Sequence, residues 1–116
     1  MDFRSLTDEG GFSPELISAA LRTTRAEIAA TLGLGRDAFS RKERIRAVKT
    51  QTRLREMVEI LNRVEGQAGS PLAAYAWFRS EPLAGFGGMT ADQLVREGRA
   101  DVVRAHLDRV MSGGFA

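Results

Sequence analysis

Cysteine is absent from the 116-residue chain, and histidine occurs only once, as His106. Disulfides, thiolate metal ligands and cysteine nucleophiles are therefore excluded, and so is a zinc site built from several histidines. No apolar run approaches the roughly 20 residues that span a bilayer, and the first four residues lack the apolar core of a signal peptide. We therefore expect a cytoplasmic protein that has no membrane segment and uses no metal or cofactor.

Motifs that would support catalysis are equally scarce. The chain has no glycine-rich phosphate loop ending in Lys-Ser or Lys-Thr, no serine elbow, and no histidine and carboxylate at metal-binding spacing. The segment 85–88 is not a dinucleotide fingerprint, because no β-strand pattern precedes it. His106 falls at the margin of an apolar helical face, which is more typical of a core-edge residue than of a general base. The sequence predicts that the protein is not an enzyme and has no catalytic residues.

Positive charge is concentrated in one short stretch. The formal net charge of the whole chain is only +2, but residues 36–55 carry eight basic and two acidic side chains, whereas the segments on both sides are slightly acidic. Clustered cations favour polyanions, because binding releases the counterions condensed on the polyanion. This stretch therefore predicts a nucleic-acid contact, and the alternative is a solvated basic face without a partner.

Helical signals run through most of the chain. Serine and threonine side chains that can cap first-turn N–H groups predict helix starts at Ser13, Thr24, Ser70 and Thr90. A longer helix is predicted from Thr52, because apolar residues recur on one of its faces, at Leu54, Met57, Val58, Leu61 and Val64. We predict an all-α fold with a flexible leader at 1–12, a helix-turn-helix unit at 13–51 and a C-terminal domain at 52–116. The long helix is expected to pack against both halves.

The segment from Thr24 to Arg41 resembles a helix-turn-helix of the Cro/Xre type, with Gly33 at the turn and Phe39 as a packing residue. Its candidate recognition helix runs from Arg36 to about Arg44. The candidate DNA-binding residues are Arg36, Ser40, Arg41, Lys42 and Arg44, since arginine can read guanine in the major groove and neighbouring cations can hold phosphates. Lys42 stands where such motifs usually have a large apolar residue. Either the second helix ends early and Ile45 fills the gap, or the helix-turn-helix unit has lost part of its ability to recognise DNA bases.

The C-terminal third contains, in order, residues that are typical of helix starts, a loop and helix ends. A helix is predicted from Pro71 to the residue before Pro82, with Trp77 favoured for the core and at least one of Tyr75, Trp77 and Phe78 at the surface. A glycine loop follows, and Gly98 is predicted to end the next helix. In the last helix, an apolar face is predicted from the spacing of Val103, Leu107 and Val110.

This order of parts resembles the toxin-binding domain of Xre/MbcA/ParS antitoxins. The residues that carry the resemblance are the tryptophan-containing helix, Pro82-Leu83, Gly87-Gly88-Met89-Thr90, Leu94-Val95, Glu97-Gly98, Val103, Leu107, Val110 and Gly113. The resemblance covers roughly residues 55–116. It implies a type II toxin–antitoxin role, with a RES-domain toxin that consumes NAD as the partner, and autorepression through operator DNA. It also implies a homodimer or a hetero-oligomer with the toxin.

The resemblance further implies that the C-terminal segment blocks the active-site cleft of the toxin. The candidate toxin-binding residues are Met111, Gly113, Gly114, Phe115 and Ala116, and the hypothesis places Phe115 with the terminal carboxylate in the toxin's substrate pocket. Two alternatives stay open from the sequence. One is a stand-alone helix-turn-helix transcriptional repressor, and the other is a ParS-like protein-interaction module that acts without a toxin.

Overall fold

The computed structural model describes residues 1–113 and confirms the predicted all-α fold. Its helices are α1 (Pro14–Ala20), α2 (Arg25–Thr31), α3 (Lys42–Ile45), α4 (Val48–Ala68), α5 (Pro71–Ser80), α6 (Ala91–Arg96) and α7 (Ala100–Gly113). A 3-10 turn at Phe3–Leu6 and a small antiparallel hairpin, β1 (Thr7–Asp8) and β2 (Gly11–Phe12), precede α1. None of the helices within residues 1–113 combines the length and the apolar character that crossing a bilayer requires.

Local caps fix the starts of several helices. The hydroxyl of Ser13 accepts the N–H of Leu16 at 3.2 Å at the start of α1. Thr24 accepts the N–H of Glu27 at 3.1 Å at the start of α2. Each contact satisfies a first-turn donor that has no partner inside the helix. These two predicted helix starts are confirmed.

Helix α4 is the central element of the core. The predicted apolar face is confirmed, because Leu54, Met57, Val58 and Leu61 are all fully buried and Val64 is 6% exposed. The helix contacts α3 and β2 from the N-terminal half of the chain and α5, α6 and α7 from the C-terminal half. It begins at Val48, four residues earlier than expected, and is terminated after Ala68 by Gly69, whose φ of 101° is the left-handed conformation that glycine adopts without strain. One continuous hydrophobic core therefore joins both halves of the chain.

The first twelve residues differ from the flexible leader that the sequence suggested. Leu6 is only 1% exposed and belongs to the core. The side chain of Gln51, from α4, accepts the N–H of Phe12 at 2.8 Å and donates to its carbonyl oxygen at 3.0 Å. The hairpin is therefore held to α4 by a side chain about forty positions away, a contact that no local pattern could indicate.

The expected recognition helix from Arg36 to Arg44 is wrong in its extent. Residues 36–39 form turns, in which the N–H of Ala38 bonds to the carbonyl of Gly35 at 3.0 Å. Helix α3 begins only at Lys42 and is four residues long. Phe39 is buried, as expected for a packing residue, and its carbonyl accepts a hydrogen bond from the Arg25 guanidinium, which holds the chain in the turn. Ile45, and not Lys42, packs against the core.

Candidate functional site

Helix α5 carries the aromatic residues of the C-terminal half. Its start is as predicted, because the Ser70 hydroxyl accepts the N–H of Ala73 at 3.0 Å and Pro71 follows the cap. Phe78 is fully buried and Tyr75 is 4% exposed. The expectation for Trp77 was wrong in part, because its side chain is only half-buried at the edge of the core. Its position one residue before Phe78 turns it about 100° away from the core-facing direction.

Tyr75 links α5 to the N-terminal half. Its hydroxyl lies 3.0 Å from the hydroxyl of Thr31 on α2, in a buried position. Burial raises the pKa of Tyr75 above its usual value of 10.0, although the hydrogen bond with Thr31 and the charge of Arg79 act in the opposite direction. The Arg79 guanidinium lies 5.1 Å from the centre of the tyrosine ring, within the range of a cation–π contact. No local sequence pattern predicts this link, because its two partners are 44 positions apart.

The glycine loop between α5 and α6 has the backbone conformation that its sequence predicts. Gly85, Gly87 and Gly88 have φ values of 87°, 64° and 87°. The loop is closed by a hydrogen bond from the N–H of Leu83 to the carbonyl of Met89 at 2.9 Å. Leu83 is buried, so the loop is anchored to the core at its base.

Helix α6 is short but capped at both ends. The predicted pair at its start is present, because the N–H of Thr90 donates to the Gln93 side chain at 2.9 Å. At its end, the N–H of Arg99 bonds to the carbonyl of Leu94 at 2.8 Å across Gly98, whose φ is 79°. This is the hydrogen bond of a Schellman turn, and it confirms Gly98 as the terminating residue.

Helix α7 places its apolar residues differently from the prediction. Val103 and Leu107 are buried as expected, but Val110 is 53% exposed. Met111 packs partly against the core in its place, because i and i+4 from Leu107 lie more closely in line than i and i+3 on this helix. The ring of His106 makes an edge-on contact with Phe86, with 6.0 Å between the ring centres, which agrees with a core-edge role.

Two cross-helix ion pairs hold α7 to α4. Arg63 lies 2.6 Å from Asp108, and Arg104 lies 3.3 Å from Glu59. The last two turns of α7 therefore run beside the C-terminal part of α4. Because α5 begins directly after that end of α4, the early part of α5 and the end of α7 lie at the same end of the molecule.

The predicted toxin-binding residues fall into two groups. Met111 and Gly113 lie within α7, which runs through Gly113. Gly114, Phe115 and Ala116 lie outside the described residues. The large apolar side chains that the described part of the C-terminal half leaves exposed are Leu72 at 41% and Val110 at 53%. We call these two residues the apolar end of the molecule.

The predicted DNA-binding residues are exposed but do not share one helix. Arg36 and Ser40 lie in the turns after α2, Arg41 precedes α3, and Lys42 and Arg44 lie within it. The Ser40 hydroxyl donates to the carbonyl of Asp37 at 2.8 Å, so it is used within its own turn.

Further cations extend this surface. We define the cationic end of the molecule as six exposed residues that form no ion pair within residues 1–113: Arg36, Arg41, Lys42, Arg44, Arg46 and Lys49. The structure brings Arg36 and Arg44 together with Lys49 around one groove. Lys42 and Arg46 instead line a second groove beside Asp8 and Glu9 of the hairpin.

Helix α4 separates the two ends. Lys49 lies in its first turn and Arg63, which holds the end of α7, lies 14 residues further along. At 1.5 Å per residue this corresponds to roughly 21 Å along the helix axis. The two ends therefore share no residues.

The fold and these surfaces define a small helical protein with a cationic and an apolar end. Residues 68–113, from the end of α4 to the end of α7, match the family model of the antitoxin Xre/MbcA/ParS C-terminal toxin-binding domain. The match supports an antitoxin role in a toxin–antitoxin pair, and a toxin-binding domain implies a toxin partner. No curated protein matches the chain. No solved structure matches it either.

Proposed function

We propose that the protein neutralises a RES-domain, NAD-consuming toxin by covering the toxin's active site, and that it represses its own operon by binding operator DNA. The toxin-binding domain at residues 68–113 is the single observation that carries the first part. NAD is the substrate of the toxin in this proposal and not a cofactor of the antitoxin. The RES identity rests on the likeness to the antitoxin family.

The apolar end supports docking of a protein at this face. Leu72 and Val110 lie at the same end, and each leaves about half of its side chain open to solvent. Covering half of a leucine or valine side chain contributes about 1 kcal/mol, which corresponds to roughly fivefold in affinity for each residue. Residues 114–116 follow α7 directly, so a toxin docked on this face would lie close to them. In the proposal these residues enter the toxin's cleft.

Co-expression with the neighbouring open reading frame tests the first part. We expect the full chain to rescue growth and to co-purify with the toxin. Removing residues 114–116 should restore toxicity while far-UV circular dichroism and the unfolding midpoint stay unchanged. Full neutralisation by the shortened chain would refute the role of the tail, and failure of the intact chain to bind the toxin would refute the function itself.

The cationic end supports the DNA-binding part. Its six residues fall between positions 36 and 49, are exposed, and have no carboxylate partner within the described chain. A cluster of this kind binds phosphates with an affinity that falls steeply as the salt concentration rises. Because the predicted recognition helix is not formed as expected, base reading by α3 is not part of this proposal. An electrophoretic mobility shift on the upstream DNA over a range of salt concentrations is the test.

A matched pair of valines separates the two activities. Val110 lies at the apolar end, whereas Val48 is 83% exposed in the first turn of α4, next to Lys49. Val110→Glu should weaken toxin binding about tenfold or more and leave DNA binding intact, because a carboxylate buried in an apolar contact is costly. Val48→Glu should do the reverse, since it adds a negative charge beside the cations at a helix start that tolerates it. Equal effects of both changes on both activities would contradict the assignment of separate surfaces. DNA binding without any bound toxin would favour the stand-alone repressor.

A further inference from the structure

The first turn of α4 has several free backbone donors. Ala47 occupies the cap position and has no side-chain oxygen, and the first turn contains no acidic residue. The amide of Gln51 is the first to find a helical partner, at the carbonyl of Ala47, 3.0 Å away. The preceding amides, of Val48, Lys49 and Thr50, have no acceptor among residues 1–113. A helix start of this kind attracts an anion, because the free N–H groups and the helix dipole both favour negative charge.

Thr50 provides a second and independent observation. Its side chain belongs to a residue that is only 6% exposed, and it lines the groove beside the start of α4. The hydroxyl has no hydrogen-bond partner within residues 1–113, and it is not among the fully enclosed unpaired atoms, so it keeps some access to solvent on a residue that lines the groove. Among residues 1–113 the Thr50 hydroxyl therefore has no acceptor, and an oxyanion in the groove would supply one.

The walls of this groove carry more positive than negative charge. Its volume is about 360 Å³, and its charged residues are Arg36, Arg44 and Lys49, opposed by the single carboxylate of Asp37. The remaining lining residues are small or apolar, and none of them supplies a further charge. The excess of positive charge, the free amides and the unpaired hydroxyl all favour an oxyanion.

We infer that this groove binds a backbone phosphate of DNA, with Thr50 and the first amides of α4 as donors and the three cations as the electrostatic support. The inference rests on the DNA-binding part of the proposed function and specifies where one phosphate is held. A nucleic-acid phosphate is favoured over a free phosphate ion because two exposed cations outside the groove, Arg41 and Arg46, lie within three residues of its lining residues Arg44 and Ala47, and an extended polyanion could contact them as well.

Amide chemical shifts of the full chain provide a direct test. A short DNA duplex and inorganic phosphate are titrated separately into the ¹⁵N-labelled protein. We expect the duplex to shift the amides of Val48, Lys49 and Thr50 at concentrations at which inorganic phosphate has little effect. Shifts confined to other residues would overturn the groove while leaving DNA binding in place. Shifts of these three amides by phosphate but by no duplex would overturn the nucleic-acid assignment, and no shifts with the duplex at all would refute the DNA-binding function as well.

A pair of isosteric substitutions on one helix provides the control. Thr50→Val removes the hydroxyl at constant shape and should weaken duplex binding about tenfold, the effect of losing one hydrogen bond to a charged group. Thr52→Val, two residues further along α4 and outside the groove, should leave duplex binding unchanged. Lys49→Gln should lower the slope of log affinity against log salt by about one, whereas Thr50→Val should leave that slope unchanged. Equal binding by the two valine variants would overturn the role of Thr50.

Discussion

The buried hydrogen bond between Thr31 and Tyr75 allows a quantitative test of how the two halves of the chain are coupled. Thr31 is 7% and Tyr75 is 4% exposed, so water cannot readily replace either partner. The bond joins α2 of the N-terminal half to α5 of the toxin-binding domain. Its removal should therefore destabilise the protein as a whole, because one core spans both halves.

The two single substitutions should have unequal effects. Thr31→Val keeps the shape of the side chain but leaves the Tyr75 hydroxyl buried without a partner, which costs about 2 kcal/mol. Tyr75→Phe should cost only about 1 kcal/mol, because a threonine hydroxyl on a helix can turn to the carbonyl four residues earlier, here that of Glu27. The double variant should also lose only about 1 kcal/mol, since replacing both partners by apolar groups of similar shape is nearly neutral. The expected coupling energy is therefore about 2 kcal/mol.

Urea unfolding of the four proteins measures this cycle. The fluorescence of Trp77, the single tryptophan, and far-UV circular dichroism can report the same transition. Ser80→Ala is the control, because it removes an exposed hydroxyl bonded to the carbonyl of Ala76 on the same helix and should change stability by less than about 0.5 kcal/mol. Additive effects of the two substitutions, within about 0.5 kcal/mol, would refute the reasoning.

Three further outcomes follow from the described contacts. The raised pKa of Tyr75 should make the protein less stable as the pH rises above about 10, because the unfolded chain loses the tyrosine proton first; Tyr75→Phe should reduce this loss, measured as urea midpoints at pH 9 and 11. Gly69→Ala should lower the free energy of unfolding by about 1 kcal/mol, because a side chain would meet no neighbouring atom there but the φ of 101° strains an alanine. Gly66→Ala inside α4 should raise the free energy of unfolding by about 0.5 kcal/mol, and a stability change of the same sign for both variants in thermal unfolding would contradict this. Phe78→Ala should cost about 4 kcal/mol because the side chain is fully buried, and a loss below about 1 kcal/mol in urea unfolding would show that it is not a core residue.

Features set within a few residues of sequence were predictable. The caps at Ser13, Thr24 and Ser70 and the turn at Gly98 depend on hydrogen bonds between residues three to five positions apart, so a local pattern contains both partners. The buried face of α4 was predictable for the same reason, because a long amphipathic helix repeats its signal over many turns. The C-terminal domain combines several of these features in order, and its family could therefore be recognised from the sequence.

Short segments held by distant partners were not predictable. The hairpin depends on Gln51, the turn at Phe39 on Arg25, and the exposure of Val110 on which face of α7 meets α4. The excess of cations in residues 36–55 is a property of the sequence alone. Their division between two grooves, and the alignment of Thr50 with three of them, was decided by the tertiary structure, because chain segments that are far apart in sequence meet only when the core forms.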